Sequence, residues 1–291
     1  MKPAPFKYLA PTTRQEAIDA LRQYGPEAKV LAGGQSLVPL LAMRLARPSV
    51  IIDLNRAPDL AFIRSTQTGL TIGAMTRQRV AEVDPMIAAR APLLAESLRW
   101  VGHPQIRTRG TIGGSLAHAD PSAELPAVAE LLGARFVLAS ARGERVLDAK
   151  RFFLGYLTTA LAPDELLTQV RLPAQPPDAG WAFYEVARRH GDFALVGVAA
   201  LVRMDGDGRC VAVRLAFTGV GGGPVRVSEA EAAVTGKRVT DTTAAEAARI
   251  VAGALDPDSD IHASAAYRRH VAGVLAARAL LQAAGRVRSV S

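Results

Sequence analysis

Two short glycine pairs, about eighty residues apart, are the stretches of this sequence whose residue types could do chemistry. Glycine lacks a Cβ and adopts positive φ freely, so several backbone N–H groups can converge on one bulky anion. A helix beginning directly behind such a turn adds about 0.3–1 kcal/mol at an exposed site. One turn is weak evidence, because ordinary turns also contain glycine pairs. Two in one chain favour a pyrophosphate held from both sides. The pairs are Ala32-Gly33-Gly34-Gln35-Ser36-Leu37 and Thr111-Ile112-Gly113-Gly114-Ser115.

A strand and a helix are expected to position the first pair. The apolar run at 30–32 predicts a strand, and Ser36 is expected to cap a helix that carries Pro39 in its first turn. Residues 50–54 are a second apolar run, typical of a buried strand. The order is strand, glycine turn, helix, strand.

The second pair follows a basic segment that contains Arg107 and Arg109. These side chains could face phosphate, and a solvated loop is an equally good interpretation. Behind the pair, residues 123–132 predict an apolar helix that ends at Gly133. The second glycine turn is therefore expected between a loop and a helix.

The remaining elements alternate between hairpins and helices. Thr76 and Asp84 are expected helix caps, and a capping box is expected at Ser228-Glu229-Ala230-Glu231. The terminal helix, capped by Ser264, is expected to bury Tyr267, Val271, Val274, Leu275 and Leu281. Strands are predicted near 60–63, 70–73, 135–139, 145–147, 166–172, 181–186, 194–204 and 210–218, with a proline-rich boundary at 173–180.

Composition excludes several classes of protein. Although 49% of the 291 residues are hydrophobic, no run of eighteen avoids a charge or a strong turn signal, so no membrane span is expected. The first residues lack an apolar export signal, which predicts a cytoplasmic protein. The net charge is +8, but the arginines form no run and aromatic residues make up only 5%, which disfavours nucleic acid binding.

No residue set offers a catalytic or metal site of its own. The single cysteine, Cys210, excludes an internal disulfide and an iron–sulfur cluster held by this chain alone. Gly219-Val220-Gly221-Gly222-Gly223-Pro224 has proline where a dinucleotide fingerprint needs glycine, so a connecting turn is expected. Ser36 and Ser115 lack the elbow of a nucleophilic serine, and His118 with Asp120 has no defined partner geometry.

Two strings extend around the glycine pairs: AGGQSLVPLLAMRLARPSVIIDLN at 32–55 and RTRGTIGGSLAHADPSAELPAV at 107–128. Together they resemble the FAD-binding medium subunit of the molybdenum hydroxylases of the carbon monoxide dehydrogenase and xanthine dehydrogenase types, over nearly the whole chain. The resemblance implies an α+β fold. A two-part FAD-binding unit of the PCMH or vanillyl-alcohol-oxidase type would comprise 1–58 and 59–176. A C-terminal domain of the carbon monoxide dehydrogenase flavoprotein type, antiparallel sheet plus helices, would comprise 177–291.

The same resemblance implies an extended FAD with its pyrophosphate against both glycine pairs. Glu124 matches a carboxylate position that contacts the cofactor, Leu167 an apolar position near the flavin, and Tyr184 a variable position. The string at 188–193 matches a third signature near the flavin ring, although an Arg188–Asp192 pair would explain it equally well. The implied cofactor residues are Ala32, Gly33, Gly34, Gln35, Ser36, Leu37, Thr111, Gly113, Gly114, Ser115, Glu124, Leu167 and Tyr184.

The resemblance also implies partners. A large molybdopterin subunit would hydroxylate the substrate, and a small iron–sulfur subunit would pass the electrons to FAD and on to an external acceptor, in a dimer of heterotrimers. Gln35 stands where carbon monoxide dehydrogenases often have histidine, which weakens carbon monoxide as the substrate. A non-catalytic nucleotide-binding module and a stand-alone flavin reductase or oxidase are the alternatives. Valine at Gly33 or Gly114 is expected to block phosphate while leaving the fold largely intact.

Overall fold

A three-stranded parallel sheet holds the first part of the chain, in the order β1-β3-β2. The computed structural model describes residues 2–287. Thr13 caps the first helix by accepting a hydrogen bond from the Glu16 N–H, and Ala17, Ile18 and Leu21 of that helix are buried against the sheet. The elements are β1 (Lys7–Leu9), α1 (Arg14–Tyr24), β2 (Ala28–Leu31), α2 (Leu37–Ala42) and β3 (Val50–Asp53).

A five-stranded antiparallel sheet follows, in the order β4-β5-β10-β6-β7, with helices packed around it. Phe136 of β6 and Phe152 stack in the core beside the sheet, with ring centroids 4.2 Å apart. The elements of this part of the chain are β4 (Ile63–Thr66), β5 (Gly69–Gly73), α3 (Gln78–Val83), α4 (Pro85–Arg90), α5 (Pro92–Leu98), α6 (Pro104–Arg109), α7 (Ile112–His118), α8 (Glu124–Leu132), β6 (Arg135–Ser140), β7 (Gly143–Asp148), α9 (Ala149–Phe152), β8 (Phe153–Gly155), β9 (Thr158–Thr159) and β10 (Leu166–Pro173). Strands β8 and β9 pair with each other in a separate two-stranded sheet.

The last part is a four-stranded antiparallel sheet with helices on one face. Its other face packs against the second sheet's helices, so side chains alternate between two cores along each strand. The elements are β11 (Gly180–Ala187), β12 (Ala194–Met204), β13 (Cys210–Thr218), β14 (Val225–Arg226), α10 (Ser228–Val234), α11 (Asp241–Ala254) and α12 (Ala265–Gly285). This is the α+β architecture, ending in antiparallel sheet plus helices, that the sequence predicts.

Several predicted helix starts are wrong. Thr76 caps nothing; its hydroxyl donates to the Phe62 carbonyl, and α3 starts two residues later. Ser228 lies inside α10, while Glu231 turns inward to accept from the Leu215 N–H and from Arg226. Asp84 and Ser264 do cap their helices. A short polar side chain thus caps a helix only where tertiary contacts do not offer it a stronger partner.

The predicted buried face of the terminal helix is also partly wrong. Tyr267 and Val274 are exposed, whereas small residues and Arg268 are buried. The reason is that α11 packs very close to the terminal helix α12. A Cβ added to Gly273 of α12 would lie 2.8 Å from the carbonyl oxygen of Ala248 in α11. Small side chains are needed at such a contact, so large apolar residues point elsewhere.

Within residues 2–287, the longest helices are too short or too polar to cross a membrane. The same residues contain no group of three or more histidine, cysteine, aspartate or glutamate side chains that could hold one metal ion.

Candidate functional site

The first glycine pair forms an open turn between β2 and α2. Gly34 has a φ of +76°, in the left-handed region, while Gly33 has no positive φ. The backbone N–H groups of 33–37 find no hydrogen-bond acceptor among residues 2–287. Ser36 does not cap α2 with its side chain, contrary to prediction, although α2 does begin at Leu37 with Pro39 as its third residue. The turn therefore presents a run of free N–H donors.

The second glycine pair is different, because it lies inside the first turn of α7. Its N–H groups are already bonded: Gly113 donates to the Ala74 carbonyl at 2.8 Å, and Gly114 donates to the Thr111 hydroxyl at 3.0 Å. Ser115 donates to the Thr111 carbonyl at 3.2 Å. The prediction of a tight turn with converging donors is wrong here. Gly113 serves close packing, since an added Cβ would lie 2.4 Å from Ala74 Cβ.

The two pairs nevertheless meet. A Cβ added to Gly114 would lie 3.2 Å from Ala32 Cβ, and one added to Gly33 would lie 2.3 Å from the Arg109 carbonyl oxygen. Because that oxygen belongs to the backbone, a side chain at Gly33 must push the two segments apart. The expectation that valine at Gly33 leaves the fold intact is therefore wrong. The glycines hold the first and second sheets' segments in contact.

A cavity of about 350 Å³ lies beside the turn of the first glycine pair and is lined by its residues Gly33, Gly34 and Gln35. It is large enough for part of a dinucleotide, being at the lower end of ligand-pocket volumes. Arg109 brings a positive charge to its wall and Asp53 a negative one. The residues that line it are Leu31, Ala32, Gly33, Gly34, Gln35, Val38, Pro39, Asp53, Asn55 and Arg109.

A hydrogen-bond network that the sequence did not reveal supports this cavity. Asn55 donates to the Ala32 carbonyl at 2.9 Å and accepts from Arg77 at 2.6 Å. Arg77 also donates to the Arg109 carbonyl. Burial and the neighbouring Arg109 charge lower the pKa of Arg77 from its usual value. The available signal was the Asp53-Leu54-Asn55 end of a parallel strand, where binding residues commonly lie.

The two arginines before the second pair have different roles. Arg107 is 6% exposed, donates to the Glu82 carboxylate at 2.8 Å and to the Val101 carbonyl at 2.9 Å, and so is structural. Arg109 lines the cavity. The interpretation as a solvated loop is wrong for Arg107, which is buried in α6, and phosphate binding stays a prediction for Arg109.

Two of the other predicted residues are buried beyond α7. Glu124, the first residue of α8, is 6% exposed, and burial raises the pKa of its carboxyl to about 7, with a further contribution from Asp120. Leu167 lies in β10 beside a β-bulge, and its side chain belongs to the second sheet's core.

Strand alternation separates Tyr184 from its neighbour. The Tyr184 hydroxyl donates to Gln282 of α12, on the helix face of the sheet. Glu185 therefore points to the opposite face, which packs against the helices of the second sheet. Burial, followed by the Glu124 charge, raises the pKa of Glu185 to about 9. Sequence reasoning selected Tyr184 and missed Glu185.

The third signature forms the turn between β11 and β12. Arg188 and Asp192 do not form an ion pair among residues 2–287; the Arg188 guanidinium instead lies 3.3 Å from His262 Nδ1. The ring of Phe193 is 65% exposed. The structural pairing considered for this string is absent from the described residues.

Comparison with known families agrees with this arrangement. The FAD binding domain in molybdopterin dehydrogenase matches residues 4–175, and the CO dehydrogenase flavoprotein C-terminal domain matches residues 181–283. The fold and the site thus define a flavoprotein subunit of an oxidoreductase. The chain belongs to the FAD-binding medium subunits of the molybdenum hydroxylases.

Individual relatives cover the whole chain. It is 41% identical over 99% of its length to the 6-hydroxypseudooxynicotine dehydrogenase complex subunit alpha of Paenarthrobacter nicotinovorans, of which 97% is covered. It is 39% identical, with 99% and 97% covered, to the caffeine dehydrogenase subunit beta of Pseudomonas sp. strain CBB1. The carbon monoxide dehydrogenase structure from Hydrogenophaga pseudoflava superposes with a TM-score of 0.96 at 39% identity, covering 99% of this chain and 100% of that one.

Proposed function

We propose that this chain holds FAD as the electron-transfer subunit of a heteromeric molybdenum hydroxylase. Electrons from a molybdenum centre on a large subunit would cross iron–sulfur clusters on a small subunit and leave through the flavin to an external acceptor. Bound FAD would collect the single electrons that iron–sulfur clusters deliver and make them available to the acceptor, and the protein would fix the position of the flavin and its electrostatic surroundings. Relatives named as medium chains and as subunits of dehydrogenase complexes support this assembly, for which we propose a cytoplasmic dimer of heterotrimers.

The observation that carries the proposal is the run of N–H groups at 33–37 without an acceptor among residues 2–287, since residues 33–35 of this run line the cavity. Buried or half-buried donors without partners are costly unless a ligand or water satisfies them. A diphosphate offers several acceptor oxygens and a negative charge, which also suits the Arg109 side chain on the wall. The residues present therefore fit the diphosphate of FAD.

The second glycine pair would form part of the wall of the cofactor site and would not donate hydrogen bonds from its backbone. Its N–H groups are internally bonded, so Thr111, Gly113 and Gly114 would form a wall that the cofactor passes closely. Ser115 keeps a side-chain hydroxyl available, and Gln35 and Ser36 add polar groups on the opposite side. From this wall, α7 leads toward Glu124, which would meet the cofactor beyond its diphosphate.

Leu167 and Tyr184 would complete the site nearer the flavin ring. Because the Tyr184 side chain bonds Gln282, its contribution would come from its backbone. We also propose the division into 1–58, 59–176 and 177–291, which is supported by the three larger sheets, each formed within one of these ranges. The cofactor would then lie where the three units meet.

Purification of the tagged chain from its host, with whatever subunits accompany it, tests the proposal. We expect FAD on denaturation, about one per chain, together with molybdenum and iron in the co-purifying subunits. Dithionite should bleach the chromophore, and a dye acceptor should restore it. Release of FMN, or a well-folded preparation that takes up no FAD, would contradict the proposal.

The two alternatives give different results in the same preparation. A nucleotide-binding regulatory module would bind FAD or another nucleotide without reversible bleaching. A stand-alone flavin reductase or oxidase would turn over a substrate after the partner subunits are removed. We expect the isolated chain to have no substrate-hydroxylating activity.

A further inference from the structure

Asp53 lies at the end of β3, beside the strand that leads into the first glycine pair. Its Cα partner across the parallel sheet is Leu31, the last residue of β2. Both residues line the cavity of about 350 Å³, and Asp53 is the acidic residue among those of 2–287 that line it. The carboxyl ends of neighbouring parallel strands form the edge of a sheet where ligands commonly bind. The sheet itself therefore places Asp53 in the cavity wall.

Hydrogen bonds from two residues fix the Asp53 carboxylate. Its Oδ1 accepts from the Asn55 backbone N–H at 2.9 Å and also from the Asn55 side-chain amide. Its Oδ2 accepts from the Tyr8 hydroxyl at 2.6 Å. Because a carboxylate oxygen can accept about two hydrogen bonds, Oδ2 keeps one acceptor position that no residue of 2–287 fills. The carboxylate is thus held in place with one acceptor position left for a ligand.

The charge of Asp53 decides which part of a ligand can lie against it. Its hydrogen-bond donors among residues 2–287 are neutral groups, so its negative charge has no bonded cation there. A phosphate is repelled by this charge and attracted by the N–H groups at 33–37 and by Arg109. The group against Asp53 must therefore be neutral and must donate a hydrogen bond. Since Leu31 is only two residues before Gly33, a sugar hydroxyl next to the diphosphate meets both conditions.

The diphosphate of FAD joins two sugars, the ribose of the adenosine and the ribityl chain of the flavin. Glu124, Leu167 and Tyr184, the residues placed toward the flavin, are not among the residues that line this cavity. Val38 and Pro39 do line it and offer an apolar surface on which a flat base can lie. The cavity therefore suits the adenosine half of the cofactor.

We propose that Asp53 is a specificity-determining residue of the cofactor site, which accepts a hydrogen bond from a ribose hydroxyl of the adenosine half of FAD. The inference rests on the proposed function, because the ligand is taken to be FAD. Asp53 Oδ2 is the acceptor, and Tyr8 and Asn55 hold it in position. This hydrogen bond favours the adenine dinucleotide over FMN, which has no adenosine.

The experiment uses the purified complex after removal of its flavin and measures dissociation constants by calorimetric titration. The ligands are FAD, ADP, 2′-deoxy-ADP and 3′-deoxy-ADP, so that each ribose hydroxyl is removed in turn. The proteins are wild type, Asp53→Asn and Asp59→Asn. Asp59 is the matched control, because its carboxylate also accepts a backbone N–H, that of Arg14 at 2.9 Å, and it is not one of the cavity-lining residues.

Asparagine at position 53 is expected to preserve the local fold, since it caps helices as well as aspartate does. The two donors of Asn55 hold the new amide oxygen in the place of Oδ1. The amide NH2 then takes the place of Oδ2, where it cannot accept a hydrogen bond from a hydroxyl. The substitution therefore removes the acceptor and leaves the shape of the side chain almost unchanged.

Wild type and Asp59→Asn should bind ADP at least about tenfold more tightly than one of the two deoxy analogues. In Asp53→Asn this preference should fall below about twofold, and FAD should bind at least about tenfold more weakly than to wild type. Because the preference compares two ligands on one protein, a general loss of stability does not produce this change.

A wild-type protein that binds FAD but binds both deoxy analogues as tightly as ADP would overturn the inference and leave the proposed function intact. An Asp53→Asn protein that keeps the preference of wild type would do the same. A wild-type complex that takes up no FAD would overturn both the inference and the proposed function.

Discussion

Ala32 and Gly114 lie against one another, so closely that a Cβ on Gly114 would stand 3.2 Å from Ala32 Cβ. This contact joins a turn with free N–H donors to a helix start whose donors are already used. The two glycine pairs, although similar in sequence, therefore have different structural roles. The first offers hydrogen bonds to an anion, and the second permits the close approach that shapes the cavity.

Gly114→Ala tests the approach of the two pairs. The new Cβ would also stand 2.6 Å from Thr111 Oγ1, so the cap of α7 must shift. We expect destabilisation of about 1–3 kcal/mol by overpacking, with at least tenfold weaker FAD binding. Urea unfolding and flavin fluorescence are the measurements. Gly206→Ala is the control, because no atom lies within 4 Å of its added Cβ. Equal behaviour of the two variants would count against the contact.

Arg77→Met tests the network behind the cavity. The substitution leaves the Asn55 and Arg109 oxygens without their donor, which should weaken FAD binding by about 1.5–3 kcal/mol, or roughly ten- to a hundredfold. Arg79→Met is a suitable comparison, since Arg79 is half-exposed and pairs with Glu82 on the same helix. Titration of FAD into both proteins at low and high salt would separate the local effect from loss of net charge. Identical affinities would show the network to be unimportant.

Glu185→Gln tests the cost of burying this carboxyl. Because its pKa is about 9 in the folded chain and near 4.5 when unfolded, the folded protein holds a proton that the unfolded chain has released. Stability should therefore fall as the pH rises from about 4.5 to 9. We expect the variant to lose less stability than wild type over that interval, by on the order of 3 kcal/mol. Urea titrations at pH 5, 7 and 9 measure this, and parallel curves would refute it.

Arg268→Met tests the anchoring of the turn that carries Phe193. Arg268 is 7% exposed and donates to the Leu195 carbonyl, to the Gly219 carbonyl at 3.0 Å and to Asp260 at 2.8 Å. Losing these bonds should destabilise the chain by about 2–4 kcal/mol.

Arg269→Met is the control for that substitution. Its partner Asp256 lies 3.4 Å away and is 98% exposed, so the expected change in unfolding free energy is below about 0.5 kcal/mol. Comparable unfolding curves for the two variants would contradict the anchoring role.

Much of the fold could be predicted because local patterns were strong. Turn residues and apolar runs predict the long hairpin of β12 and β13. They also predict the helix that ends at Gly133. Strand β1 and helix α6 could not be predicted in the same way. β1 is three residues long and, among residues 2–287, pairs with β3 alone, and α6 is a helix of six residues that starts at Pro104.

The site was harder to predict than the fold. Free and satisfied N–H groups look alike in sequence, so the two glycine pairs appeared equivalent. The Asn55–Arg77 link joins residues that only the folded chain brings together. Tyr184 was taken as a site residue although its side chain packs on the α12 side of the sheet, because the face to which each residue of a strand points depends on register that the sequence alone does not give.

Hydrogen–deuterium exchange of the backbone, with and without FAD, tests the central claim most directly. The account predicts that the N–H groups of 33–37 exchange rapidly without FAD and become strongly protected when it binds. Those of Gly113 and Gly114, already bonded to Ala74 and Thr111, should change little. Unchanged exchange at 33–37 in a chain that has bound FAD would contradict the account.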